Sequence, residues 1–192
     1  MNPQETVLVA FEESGTLRDA FLDVGVKAVS CDILPSRSKR GEHIQGDALP
    51  LLKMPWLGVY CFPPCTHTAV SGARYFAQKI KDGRQAAGVY TFMQCTQANT
   101  NHLFIEQPVG IMSTVYRTPD QYLQPWQFGH GETKKTCIWF KGLPKLQPTN
   151  IVEGRESRIH KMSPGINRAR ERSKTYTGIA QAIAMQHKGF YL

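Results

Sequence analysis

The chain contains nothing close to the roughly 18 consecutive apolar residues that a membrane-spanning helix needs. Apolar stretches such as residues 7–11 and 179–185, the latter broken by Gln181, fall far short of that length. The first six residues are polar and lack the basic-then-apolar order of a secretion signal. No membrane partner is expected, and a cytoplasmic location is. Cysteine is sparse, with five residues (Cys31, Cys61, Cys65, Cys95 and Cys137) scattered along the chain. An odd, dispersed set argues against a disulfide scaffold and leaves at least one thiol free for chemistry. Cys61, Cys65 and His67 lie close together, but a zinc site normally wants a second close pair. The sequence offers none, so no metal is expected. Glycine is short where a dinucleotide-binding turn would need it. Phe11-Glu12-Glu13-Ser14-Gly15 carries one glycine in place of three, and its two carboxylates would repel a pyrophosphate.

What remains is an ordinary globular composition. The 192 residues, 41% hydrophobic and 20% charged, suffice for one core and predict a single domain over 1–192. A net charge of +8 favours a polyanionic or phosphorylated partner. The basic residues concentrate at 37–40 and at 155–174. The first stretch reads equally well as a solvated surface. The second places Arg168, Arg170 and Arg172 beside Ser-Pro-Gly turn chemistry and suits phosphate contact.

Hydropathy alternates between strand and helix signals. Residues 6–11, 26–31, 57–62, 102–106 and 135–141 read as strands. Residues 16–24, with Leu17, Ala20, Phe21 and Val24 at helical spacing, read as a helix ended by Gly25. Residues 84–98 read as a second helix, with Ala86, Val89, Tyr90 and Met93 on one face. Residues 177–187 read as a last helix, with Ile179, Ala182 and Ile183 inward, and 142–174 as mostly basic loop. The order predicts a Rossmann-like, doubly wound α/β sheet, whose ligands gather at the carboxyl ends of the strands. Glu12 to Gly15, Asp32, Cys65 and Glu106 each follow a predicted strand and so share that rim. A thiol and a carboxylate there suggest an active site. The acidic first turn suits a cofactor with a cationic end, such as S-adenosylmethionine, and Asp32 suits ribose hydroxyls.

Taken in order, several pieces resemble the DNA cytosine-5 methyltransferases. They are Phe11 to Gly15 before a helix, Asp32, Gly46-Asp47, Pro63-Pro64-Cys65, Ile105-Glu106-Gln107-Pro108, and Lys134-Lys135-Thr136 before a late strand. Tyr176-Thr177-Gly178-Ile179-Ala180 is similar to a shortened form of that family's last motif. The chain also resembles compact methyltransferase-like proteins encoded by bacteriophages. The resemblance implies the class I methyltransferase type of sheet and transfer of a methyl group to carbon 5 of cytosine. It implies Cys65 as a nucleophile at ring carbon 6, because carbon 5 alone is too weak to take a methyl group. Glu106 would meet ring nitrogen 3. Phe11, Gly15, Asp32 and Asp47 would bind S-adenosylmethionine, and Lys134 and Lys135 would touch the base or its phosphate.

The departures are informative. The glycine-rich first motif is reduced to Gly15, the family's Glu-Asn-Val becomes Glu106-Gln107-Pro108, and its arginine-bearing motif carries lysines. The sizeable target-recognition region of the family is missing, and only 142–174 is available in its place. Two substrate forms follow: cytosine in DNA, or a free cytidine or deoxycytidine monophosphate clamped by the arginines at 168–172. The competing class is a catalytically inactive, basic nucleic-acid-binding protein. A zinc deaminase would need a His-x-Glu element, which the sequence lacks.

Overall fold

A computed structural model describes residues 1–158, 165 and 172–192. They form a mixed α/β structure, compatible with a Rossmann-like fold, around one seven-stranded sheet. The strands are β1 (Val7–Ala10), β2 (Ala28–Asp32), β3 (Glu42–Gln45), β4 (Gly58–Cys61), β5 (Leu103–Pro108), β6 (Gln121–Leu123) and β7 (Thr136–Lys141). Their order is β3-β2-β1-β4-β5-β7-β6. Neighbours pair in parallel from β3 through β5, while β7 runs antiparallel between β5 and β6.

Val7, Leu8, Val9 and Ala10 are fully buried because β1 lies mid-sheet with helices on both faces. One face is covered by α1 (Thr16–Asp23) and α5 (Thr177–His187), which pack on each other. The expected inward residues Leu17, Ala20 and Phe21 of α1 and Ile179, Ala182 and Ile183 of α5 are all buried there. Gly178 lets the start of α5 approach the chain closely, since a Cβ at that position would run into the Phe128 carbonyl oxygen. The other face carries α3 (Arg84–Thr96), preceded by the short α2 (Phe76–Lys81) and followed by α4 (Met112–Val115).

The buried face of α3 differs from the expected one. Phe92 and Cys95 are fully buried, whereas Tyr90 is 59% exposed. The helix is rotated toward β7 and the α4 end, where the Phe92 ring meets Trp139 edge-on at 5.0 Å and Tyr116 at 5.7 Å. After β4, residues 70–75 form a 3-10 turn leading into α2. Among the described residues no helix is long and apolar enough to cross a membrane.

Candidate active site

The chain leaves β1 and β4 on opposite sides of a crevice, the point where strand order reverses and ligands of open α/β sheets are held. The turn after β1 is shaped by two unusual residues. Phe11 is the one non-glycine with positive φ (62°) among the described residues, and Gly15 enters α1 at φ 72°. A bulky residue in the left-handed region is strained and marks a turn held for a purpose. Between them the Glu12 carboxylate folds back onto the start of α1. It accepts hydrogen bonds from the Leu17 amide (2.7 Å), the Arg18 amide (3.4 Å) and the Ser14 hydroxyl (3.2 Å). Burial pushes Glu12 up to about 7, against the pull of those donors and of Arg18. The N–H groups that would hold a pyrophosphate at a Rossmann turn are therefore already taken.

Asp32 and Asp47 flank this turn at the ends of β2 and β3. Each holds its own loop, Asp32 accepting from the Leu34 amide and Asp47 from the Leu49 amide, at 2.9 and 3.0 Å. Both act on the Cys31 thiol, which burial and the two carboxylates push up to about 11. Four of the proposed cofactor residues, Phe11, Gly15, Asp32 and Asp47, thus lie around the β1–β2–β3 end of one rim.

Cys65 lies on the other side of the crevice and is held by its surroundings. Its carbonyl oxygen accepts from the Thr68 and Ala69 amides at 3.1 and 2.9 Å, closing a tight turn. Gln107, buried at the end of β5, donates from Nε2 to the Pro63 carbonyl (3.1 Å) and to the Pro64 carbonyl (3.4 Å). Its Oε1 accepts from the Thr68 hydroxyl at 3.0 Å. The buried Lys79 of α2 donates to the Thr66 carbonyl at 2.7 Å. The Val70 and Ile111 amides tie residues 68–70 to the segment after β5. Residues 66–70 are thus pinned at several points.

Glu106 precedes Gln107 on β5, and pleat alternation turns it to the opposite face. It is partly buried, and burial raises its carboxyl above the usual range while Lys134 pulls it down. Burial likewise pushes the Cys65 thiol up, Glu106 adds to that, and Lys134 and Arg172 oppose it. Glu106, Lys134 and Arg172 thus lie within electrostatic reach of Cys65. Glu106 and Lys134 also line a small cavity of about 20 Å³, walled by Phe62, Phe104, Tyr176 and Ile179.

Other expected residues lie elsewhere. Lys135 is exposed and places its ammonium over the Tyr122 ring, 4.0 Å from the centroid. Arg168 and Arg170 lie outside the described residues. The basic stretch at 37–40 serves the fold, with Arg37 bound to Glu13 at 2.6 Å and Arg40 paired with Asp23. Sequence reasoning missed Gln107, Thr68 and Lys79, whose only signal was a polar or charged residue beside a strand end or loop. No protein-family model matches the chain, and no curated protein matches it at a significant level.

Proposed function

We propose that this chain is an S-adenosylmethionine-dependent methyltransferase that methylates carbon 5 of a cytosine nucleotide through a covalent adduct at Cys65. The observation that carries the reading is the convergence at one rim of a clamped thiol, a carboxylate and two cations, across a crevice from an acidic turn. The sheet order, with its lone antiparallel strand β7 next to β6, is compatible with the class I methyltransferase type.

The residues around the β1 turn fit S-adenosylmethionine better than a dinucleotide. Glu12 fills the start of α1, and the neighbouring carboxylates suit a ligand bearing an ammonium and a sulfonium. Asp32 and Asp47 each have a second carboxylate oxygen to offer to ribose hydroxyls or to the adenine amino group. Bound S-adenosylmethionine would supply an electrophilic methyl group. The chain's own residues prepare the ring to take it. The Cys65 thiolate adds to carbon 6, forming the S–C6 bond and moving the ring electrons toward carbon 5 and nitrogen 3. Glu106, raised by burial and so ready to carry a proton, donates to nitrogen 3 and stabilises that electron shift. Carbon 5 takes the methyl group. Loss of the carbon 5 proton to a base then restores the C5–C6 bond and expels the Cys65 thiolate.

Methyl transfer from labelled S-adenosylmethionine to cytosine-containing substrates tests the proposal. Label at carbon 5 of the ring is the expected result. A chain that transfers no label to any cytosine substrate and binds no S-adenosylmethionine overturns it.

A further inference from the structure

Resting on that reading, we infer that Arg18, acting through Ser30 and His43, is a positioning residue that sets the Asp32 carboxylate for the ribose hydroxyls of S-adenosylmethionine. Strands β2 and β3 run parallel, yet residues 33–41 join them without a helix. That is shorter than the roughly dozen residues such a crossover usually takes. The two large apolar residues of this loop, Ile33 and Leu34, are exposed, so it has no apolar anchor of its own. A buried charge holds it instead: Arg18 of α1 is fully shielded from solvent.

The Arg18 guanidinium links both strands and the loop between them. Its charge is met by Asp19 at 2.8 Å. Nη1 donates to the Ser30 hydroxyl on β2 (3.0 Å), to the Ser36 hydroxyl in the loop (3.4 Å) and to the Glu42 carbonyl on β3 (3.3 Å). Asp19 in turn accepts from the Ser38 hydroxyl, and the Ser38 carbonyl accepts from Ser36. Gly15 and Gly41 lie against the same group. A Cβ at Gly15 would stand 2.5 Å from Nη2, and one at Gly41 2.9 Å from Nε. A charge held out of water persists only where its partners are well placed. Here those partners are the loop and the strands that carry it.

From Ser30 a chain of hydrogen bonds runs on to the rim. The Ser30 hydroxyl lies 2.9 Å from His43 Nδ1, and His43 Nε2 lies 2.9 Å from the Leu34 carbonyl oxygen. That carbonyl can only accept, so Nε2 carries the proton and Nδ1 of the neutral ring accepts from Ser30. The Leu34 amide donates to Asp32 Oδ1 at 2.9 Å. Leu34 is thus held at its carbonyl by His43 and at its amide by Asp32. One Asp32 oxygen is fixed by this relay, and the other is left for the ligand. A binding group keeps its geometry when a supporting set of contacts locks it in this way.

Removing Arg18 would open the buried core, so the test is made further along the relay, by calorimetry of S-adenosylmethionine binding to the whole chain. Ser30→Ala severs Arg18 from His43, and His43→Leu releases the Leu34 carbonyl. Each should weaken binding by about tenfold. His43→Gln, which keeps an N–H for that carbonyl, should recover most of the loss. In an Asp32→Ala background neither Ser30→Ala nor His43→Leu should weaken binding further, because the relay acts through a carboxylate that is gone. Full affinity in His43→Leu, or losses that add undiminished to that of Asp32→Ala, would overturn this inference and leave the methyltransferase reading standing. A wild-type chain that binds no S-adenosylmethionine overturns both.

Discussion

The surroundings of Cys65 favour the protonated thiol, which in the proposed reading loses its proton only when substrate binds. Burial and Glu106 raise it, and Lys134 and Arg172 oppose them. A Glu106 that passes a hydrogen bond or proton to the ring no longer bears its full charge against the sulfur, so ring binding and thiolate formation support one another. Cys65→Ser should therefore abolish turnover while leaving S-adenosylmethionine affinity nearly unchanged, as measured by calorimetry beside a single-turnover assay. A fully active Cys65→Ser enzyme would remove the covalent route. In the proposed reading Asp32 serves a separate ligand, S-adenosylmethionine. Asp32→Ala should weaken S-adenosylmethionine binding by about 1–3 kcal/mol, the cost of leaving ligand hydroxyls without a partner, and an unaltered affinity would take Asp32 out of the site.

At the scale of elements, the end of β5 holds the loop that carries Cys65. Gln107 ties the Pro63 and Pro64 carbonyls and Thr68 to the sheet, so it is a positioning residue for the neighbouring cysteine. Gln107→Ala should lower kcat by about 10- to 100-fold with KM little changed, since these bonds orient the attacking sulfur without touching the ring. Equal losses in kcat and in thermal stability would make Gln107 merely structural. The close approach of α5 to Phe128 gives a second expectation. Gly178→Ala should cost about 1–3 kcal/mol through forced separation, read as a lower urea midpoint. The elements that were legible in the sequence are those buried by their own pattern: β1, β2, β4, β5, β7 and the inward faces of α1 and α5. Strands β3 and β6 were not, because each is a short edge strand, much of it solvent-facing, whose pairing is supplied by its neighbour. The rim positions of Cys65 and Glu106 could be read from strand order alone. The clamp by Gln107 and the capping of α1 by Glu12 could not, because both depend on contacts made only after the sheet assembles.

Across the whole molecule, two buried groups titrate in opposition. Glu12, free to ionise near 4.5 in the unfolded chain, is pushed up to about 7 when folded. The folded state then holds the extra proton between those values, so this contribution to stability is complete below 4.5 and is lost as pH rises through 7. His187 behaves in the reverse sense. Buried with its Nδ1 accepting from the Tyr60 hydroxyl at 2.9 Å, it is lowered from 6.5 to about 4. Its contribution is complete above 6.5 and is lost as pH falls through 4. The two slopes offset each other across most of the interval. Glu12→Gln removes one of them. Relative to wild type it should gain about 3 kcal/mol of stability as pH rises from 4.5 to 7, measured by urea unfolding at stepped pH. A constant difference between the two proteins would mean that Glu12 is ionised throughout that range.

The most direct test of the covalent mechanism replaces the carbon 5 hydrogen of the substrate by fluorine, which cannot leave as a proton and so arrests the reaction after methyl transfer. Wild-type protein would be incubated with S-adenosylmethionine and 5-fluorocytosine, offered both as the deoxynucleoside monophosphate and within an oligonucleotide, then digested and weighed by mass spectrometry. The proposed mechanism predicts a methylated, fluorinated nucleotide attached to the peptide that carries Cys65, and no such adduct in Cys65→Ser. Methyl transfer to ordinary cytosine without any trapped adduct at Cys65 would contradict it.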